Sequence, residues 1–267
     1  MVTLFLTRFM AKVFTTEITS AKIASDNPIH QRLFKAYVIA EKYVSGNLLE
    51  VGCGEGRGVE TLLKYVSHYT AVDKIKKAIS ELQQKFPDAT FIQMDIPPLS
   101  GLAENTFDCV VSFQVIEHIK DDLLFLKEIH RVLKPGGTAL LTTPNQRMSL
   151  SRNPWHIREY LPDELLALAL RIFPGADVKG ITGNEKVKHY YRENKKAVER
   201  ITRWDILDLQ HKLPSSVIRI PYEILNRMNR NKLKSSNTTL VMNIQHEDYF
   251  VTDHPDDALD LLLIVRK

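Results

Sequence analysis

Short apolar runs alternate with helix-period stripes along most of this chain. The sharpest case is Asn47-Leu-Leu-Glu50-Val51, which runs into Gly52-Cys53-Gly54-Glu55-Gly56-Arg57-Gly58. Residues 59–66 then carry apolar side chains at helical spacing, so the stretch predicts strand, tight turn and helix. Further strand-like runs fall at 69–73, 89–95 and 106–113, separated by a helical stripe over 75–86 and a Pro-Pro turn. A helix over 120–133 precedes Lys134-Pro135-Gly136-Gly137 and a strand over 138–143; a helix over 162–172 and strands over 176–181 and 258–265 follow. Strands alternating with helices predict an α/β fold, doubly wound around a mostly parallel seven-stranded sheet. Before the first strand, 25–43 opens with helix-start residues and presents Leu33, Phe34, Tyr37, Val38 and Ala40 as a face to bury.

One region departs from the alternation. Between the sixth strand and the last, 185–203 places Val187, Tyr191, Asn194, Val198 and Ile201 on one helical stripe, and a second helix is expected from Pro221 to about Leu233. The pattern divides the chain into a helical cap (1–45), a core (46–183), a helical insert (184–245) and the last core strand (246–267). Charge follows this division. Residues 185–234 hold 13 Lys/Arg against 6 Asp/Glu, whereas the whole chain is only +4. Such a basic insert reads as a solvated helix face, or as a lid meeting an anionic substrate, a lipid surface or nucleic acid. The lack of a basic-aromatic RNA module argues against the last of these.

At 267 residues the chain can bury one substantial α/β core. Cys53 and Cys109 make neither a disulfide framework nor a zinc spacing, so a reducing, cytoplasmic setting is expected and no metal. The first 14 residues are apolar, basic and free of acids. Arg8 and Lys12 interrupt the run too early for a secretory signal, which favours a short amphipathic helix over a leader or surface anchor. No stretch approaches the length of a membrane span.

The glycine turn carries the candidate chemistry. Glycines let backbone approach a ligand, and a helix start offers unpaired N–H groups, so the ligand should carry an anionic group. The dinucleotide fingerprint fails, because Arg57 stands where its third glycine is required; a nicotinamide-dependent dehydrogenase is the weaker reading. Glu50 followed by Gly52, Gly54 and Gly56 resembles motif I of the class I S-adenosylmethionine-dependent methyltransferases. Phe113-Gln114-Val-Ile-Glu117-His118 at the fourth strand end, then Leu-Lys-Pro-Gly-Gly, resemble that family's small-molecule branch. The matches span about 46–145 and imply a Rossmann-like methyltransferase fold with S-adenosylmethionine as cofactor.

Asp73 ends the second strand where an acid can meet ribose hydroxyls, and the resemblance places Asp95 at the adenine amino group; either is also a plausible helix cap. The cofactor set expected is therefore Glu50, Gly52, Gly54, Gly56, Asp73, Lys74, Asp95, Ile96, Phe113 and Gln114. No (Asp/Asn)-Pro-Pro-(Tyr/Phe) turn follows the fourth strand, unlike base-modifying relatives. On the acceptor side Glu117, His118 and His156 are the catalytic candidates, while His30, Tyr37, Trp155, Arg158 and Tyr160 are the candidate walls. Their alternative is structural, since 160–164 also looks like the entry to a helix. The expectation is methyl transfer to a small-molecule or lipid-like acceptor. An RNA or protein methyltransferase, or a cofactor-binding scaffold without chemistry, remains as an alternative, with peripheral membrane contact allowed and oligomeric state open.

Overall fold

A computed structural model of the chain describes residues 23–203 and 212–267. The predicted N-terminal amphipathic helix over the first 14 residues lies outside the described residues. A 3-10 turn, Ala24–Asp26, leads into α1 (Asn27–Ala40). The core follows as β1 (Asn47–Val51), α2 (Val59–Leu62), β2 (His68–Asp73), α3 (Lys76–Lys85), β3 (Thr90–Gln93) and β4 (Phe107–Phe113). It continues through α4 (Asp122–Val132), β5 (Leu133–Pro144), α5 (Pro162–Leu170) and β6 (Asp177–Gly183). Among the described residues, three helices, α6 (Glu185–Thr202), α7 (Ser215–Ser236) and α8 (Thr238–Asn243), precede β7 (Tyr249–Thr252) and β8 (Asp260–Arg266).

The strands form one sheet in the order β3-β2-β1-β4-β5-β8-β6-β7. β1 pairs in parallel with both β2 and β4, so chain order reverses at β1. Open α/β sheets bind ligands in the crevice above the carboxyl ends of strands at such a switch. β8 runs antiparallel between β5 and β6. Helices cover both faces, as continuous apolar strands require. One apolar layer joins α1, α2, α3 and α6 through Ala36, Tyr37, Leu62, Ile79, Val187 and Tyr190; the other joins α4 and α5 through Phe125, Ile129, Leu165 and Leu168.

Two expectations need correction. The sheet has eight strands, not seven, because Tyr249–Thr252 adds an antiparallel edge strand to β6. Flanking acids Glu247, Asp248 and Asp253, with Phe250 and Val251 exposed, hide so short an edge strand from a periodicity argument. The three helices consequently precede β7, rather than the last strand. The second of these helices begins at Ser215 and carries Pro221 in its interior, instead of starting there. Pro214, extended at φ −57 and ψ 144, is the residue that ends the preceding chain and sets the helix start.

These helices are fastened to α1 through buried polar contacts. Asp26, fully buried, accepts from Arg227 Nη1 at 2.8 Å and from Arg230 Nη1 at 3.1 Å. Asn27 Nδ2 donates to the carbonyls of Val241 (2.8 Å) and Ile244 (2.9 Å), while Arg32 ties α1 to the start of β8 by pairing with buried Asp260 at 3.2 Å. Asn184 starts α6 by accepting from the N–H groups of Lys186 and Val187. Asp26→Ala leaves two inward-facing guanidinium groups without their carboxylate, which costs about 3 kcal/mol. Chemical denaturation should show that loss, and Lys188→Ala, on an exposed pair, should show almost none.

Candidate active site

The turn after β1 is built by backbone and two carboxylates. Gly52 and Cys53 N–H both donate to the Val72 carbonyl (2.8 and 3.3 Å), holding the end of β1 against β2. Asp73 Oδ2 accepts from Gly54 N–H at 2.8 Å and Oδ1 from Ile75 N–H at 2.9 Å. One side chain thus fixes the glycine turn and the start of α3. Gly52, at φ +83, cannot gain a Cβ without meeting Val115 Cγ2 at 2.4 Å; at Gly54, φ +54, an added Cβ meets nothing within 4 Å.

Glu50 lies beneath this turn. It is fully buried and accepts hydrogen bonds from the Tyr37 hydroxyl (2.7 Å) and the Tyr69 hydroxyl. Burial pushes its carboxyl up, and burial beside Glu50 pushes both tyrosine hydroxyls well above their ordinary range. The Tyr37 ring meets Phe113 edge-on with centroids 4.9 Å apart, so α1 is locked onto the tip of β4.

Above the turn opens a crevice of about 640 Å³, within the size range of a nucleoside-like ligand. Gly52, Gly54, Asp73, Lys74, Asp95, Ile96, Phe113 and Gln114 line it, with His30 and Tyr37 from α1. A second, smaller crevice of about 240 Å³ lies beside it, walled by Glu117, His156, α6 and α7. Leu33, Gln114 and His118 line both. Gln114 has φ 58, a left-handed conformation unusual for its type, and its N–H is held by the Thr142 carbonyl at 2.8 Å. That bend turns the chain from β4 into the 3-10 turn Ile116–His118, which carries the two polar groups of the junction.

At the junction, Glu117 is buried and accepts from the Thr143 hydroxyl at 3.0 Å. Burial pushes its carboxyl up to about 7, against an opposing pull from His156. His118 Nδ1 lies 2.9 Å from the Trp155 carbonyl, and His156 Nδ1 2.6 Å from Glu159 Oε1. The two imidazole centroids are 5.0 Å apart.

Some expected residues lie elsewhere. Glu50 and Gly56 sit outside the crevice linings, the latter under Leu82. Tyr160 is fully buried, its hydroxyl donating to Asp122 at 2.9 Å, and Arg158 points at Asp122 and Glu164. The Trp155 ring faces the Arg219 guanidinium at 4.1 Å. These three therefore join α4, α5 and α7 together rather than wall the small crevice, whereas His156 lines it, as do its neighbours Asn153 and Glu159. His30 and Tyr37 face the large crevice instead of the small one. Sequence reading missed Tyr190, Tyr222, Asn226, Asn229 and Arg230, all in the small crevice. Tyr191, Asn194 and Val198 line it as well, and the stripe on 185–203 had marked them. Part of the basic patch is paired: Arg227 and Arg230 serve Asp26, Lys186 serves Asp248, and Lys196 serves Glu193.

Residues 49–141, which hold the turn, Asp73, Asp95 and the Gln114 bend, match the methyltransferase domain family. Over this stretch the core is similar to S-adenosylmethionine-dependent methyltransferases. A probable S-adenosylmethionine-dependent methyltransferase of Mycobacterium tuberculosis is 33% identical over 147 residues, 53% of this chain and 52% of its own length. The chain thus spans about half the length of the curated relatives it matches. A ubiquinone biosynthesis O-methyltransferase of Xanthomonas campestris is 28% identical over 116 residues, covering 41% of this chain and 48% of that protein. Among solved structures, an S-adenosylmethionine-dependent methyltransferase of Thermotoga maritima, described as a possible histamine N-methyltransferase, shares the fold. Its TM-score is 0.55 at 15% identity, covering 90% of this chain and 91% of that one.

Among the described residues, no helix is long and apolar enough to cross a membrane. The turn makes a graded prediction. Gly54→Ala pays only for its left-handed backbone, about 1–2 kcal/mol, whereas Gly52→Ala adds a collision with Val115 and unfolds at clearly lower temperature. Thermal unfolding of the two variants side by side checks the order.

Proposed function

We propose that this chain transfers the methyl group of S-adenosylmethionine to an oxygen, nitrogen or carbon of a small-molecule or lipid-like acceptor. The observation that carries the reading is the junction of the two crevices at Leu33, Gln114 and His118. A donor in one compartment and an acceptor in the other would meet there, out of water. The large crevice fits the donor: Asp73 presents a carboxylate fixed by two N–H bonds, and Asp95 stands exposed at the tip beyond β3. Asp73 and Asp95 would hold hydroxyl and amino donors of the nucleoside, Lys74 and the Gly54 backbone lining the same wall.

When bound, S-adenosylmethionine supplies a methyl group already activated for displacement. The protein's part is then alignment and exclusion of water. The small crevice presents tyrosine hydroxyls and asparagine amides from α6 and α7, among them Asn229 donating to Asn194 at 2.8 Å. Such a lining suits an acceptor bearing hydroxyl or amine groups. Where the acceptor must lose a proton, Glu117 and His156 in the small crevice and His118, which lines both, are the candidate acceptors. The O-methyltransferase relative in ubiquinone biosynthesis supports a small, lipid-like acceptor. An RNA acceptor would draw on cations facing outward, and the internal pairing of Arg227, Arg230 and Lys186 takes these three out of such a surface.

Two variants separate the compartments. Asp95→Ala removes an exposed side chain, so unfolding is unchanged while calorimetry shows S-adenosylmethionine bound roughly tenfold to a hundredfold more weakly. Unaltered affinity would remove Asp95 from the donor site. Asn226→Trp fills the small crevice; donor affinity stays within about twofold, and production of S-adenosylhomocysteine from small-molecule and lipid extracts is lost. Binding of NAD in place of S-adenosylmethionine by the wild type would sink the reading altogether.

A further inference from the structure

Glu117, His118 and His156 each direct one ligating atom into a common volume, all within 4.8 Å of one another. The three come from two separate pieces of chain. Glu117 and His118 sit on the turn after β4, and His156 on the loop before α5. Backbone bonds clamp these pieces together, because the Glu117 carbonyl accepts from Ile157 N–H at 2.8 Å and from Arg158 N–H at 3.2 Å. The cluster is thus positioned by main chain, not by chance side-chain contact.

The surroundings of the two imidazoles specify their chemistry. The Trp155 carbonyl at His118 Nδ1 and the Glu159 carboxylate at His156 Nδ1 are both acceptors. An acceptor there keeps the ring proton on Nδ1 and puts the lone pair on Nε2. Imidazoles backed in this way by a carbonyl or a carboxylate are the usual form of a metal-ligating histidine. The Asn153 amide nitrogen lies 2.8 Å from His156 Nε2, a contact in which that nitrogen accepts when the ring proton is on Nδ1; this amide would have to turn aside for a cation to enter. Thr143, a neutral hydroxyl, bonds the buried Glu117 carboxylate on its other side. A buried carboxyl group beside two basic nitrogens is a site that a cation completes.

We propose that Glu117, His118 and His156 bind one divalent transition-metal ion, which holds an acceptor hydroxyl at the junction of the two crevices for O-methylation. The role assigned to the ion rests on the methyltransferase reading; the cation site itself does not. Two imidazole nitrogens and one carboxylate oxygen favour Zn²⁺, Mn²⁺, Fe²⁺ or Co²⁺ over Mg²⁺ and Ca²⁺, which prefer oxygen ligands. Three protein ligands leave open positions for the acceptor oxygen and for water. A hydroxyl bound there is acidified and gives its proton to solvent water. Its oxygen lone pair then forms the new O–CH₃ bond while the S–CH₃ bond breaks, the electron pair passing to sulfur. The products are the methyl ether and S-adenosylhomocysteine.

Titrating the purified full chain with Co²⁺, in the absence of donor and acceptor, reads the site by its visible absorption. Binding of one equivalent is expected, displaced by Zn²⁺ and not by equimolar Mg²⁺. His118→Ala and His156→Ala each weaken Co²⁺ binding more than tenfold. Glu159→Gln, which touches no ion and only loosens His156, weakens it by about 10–100-fold. Should a histidine variant fail to fold, Glu159→Gln carries the test, with its unfolding temperature as the control. Wild-type Co²⁺ affinity in the folded variants, or no saturable binding by the wild type below about 1 mM, overturns the site. Because no donor is present, that failure leaves the Asp95 result intact, and loss of donor binding would leave the ion site intact.

Discussion

One carboxylate holding two backbone N–H groups sets the geometry on which the rest depends. Asp73 joins the glycine turn to the start of α3, and in doing so it fixes where β1 and β2 end relative to each other. A charged acceptor in a nearly buried position bonds such donors strongly. The turn needs this help, since Gly54 in its left-handed conformation has little of its own to hold it there. Beneath, Glu50 plays a second supporting part, tying β1 to Tyr69 on β2 and to Tyr37 on α1. Two acids separated by a glycine turn thus divide the work: one shapes the crevice wall, the other anchors the wall to the core.

Much of this was written in local pattern. Strand and helix periodicity located the parallel core, and the spacing from Glu50 through Gly56 to Asp73 located the large crevice. Those features are local because a strand end, a turn and a helix start are adjacent in sequence. Glu50 shows the limit of such reasoning. Its type and position point to a ligand, yet what decides its role is Tyr69 and Tyr37, whose hydroxyls reach it from two other elements.

The acceptor side was much less accessible to sequence, for the same reason enlarged. Trp155, Arg158 and Tyr160 have the chemistry of a binding wall, but Arg219, Glu164 and Asp122 claim them from neighbouring helices. Tyr222, Asn226 and Asn229 have no distinguishing spacing and reach the crevice only because α7 is drawn inward by Asp26. Pro221 misled in a similar way. Its residue type suggests a helix start, and tertiary packing overrides that preference.

The placement of α1 has a wider consequence. Its residues form a partition: His30 and Tyr37 look into one compartment, Ile29 and Arg32 into the other, and Leu33 into both. The salt link from Asp26 at its head carries the same helix over to α7. A wall shared in this manner cannot adjust to one guest without changing the room left for the second. Were one guest to shift that wall, the linkage would be reciprocal, each occupant altering the other's hold by the same factor.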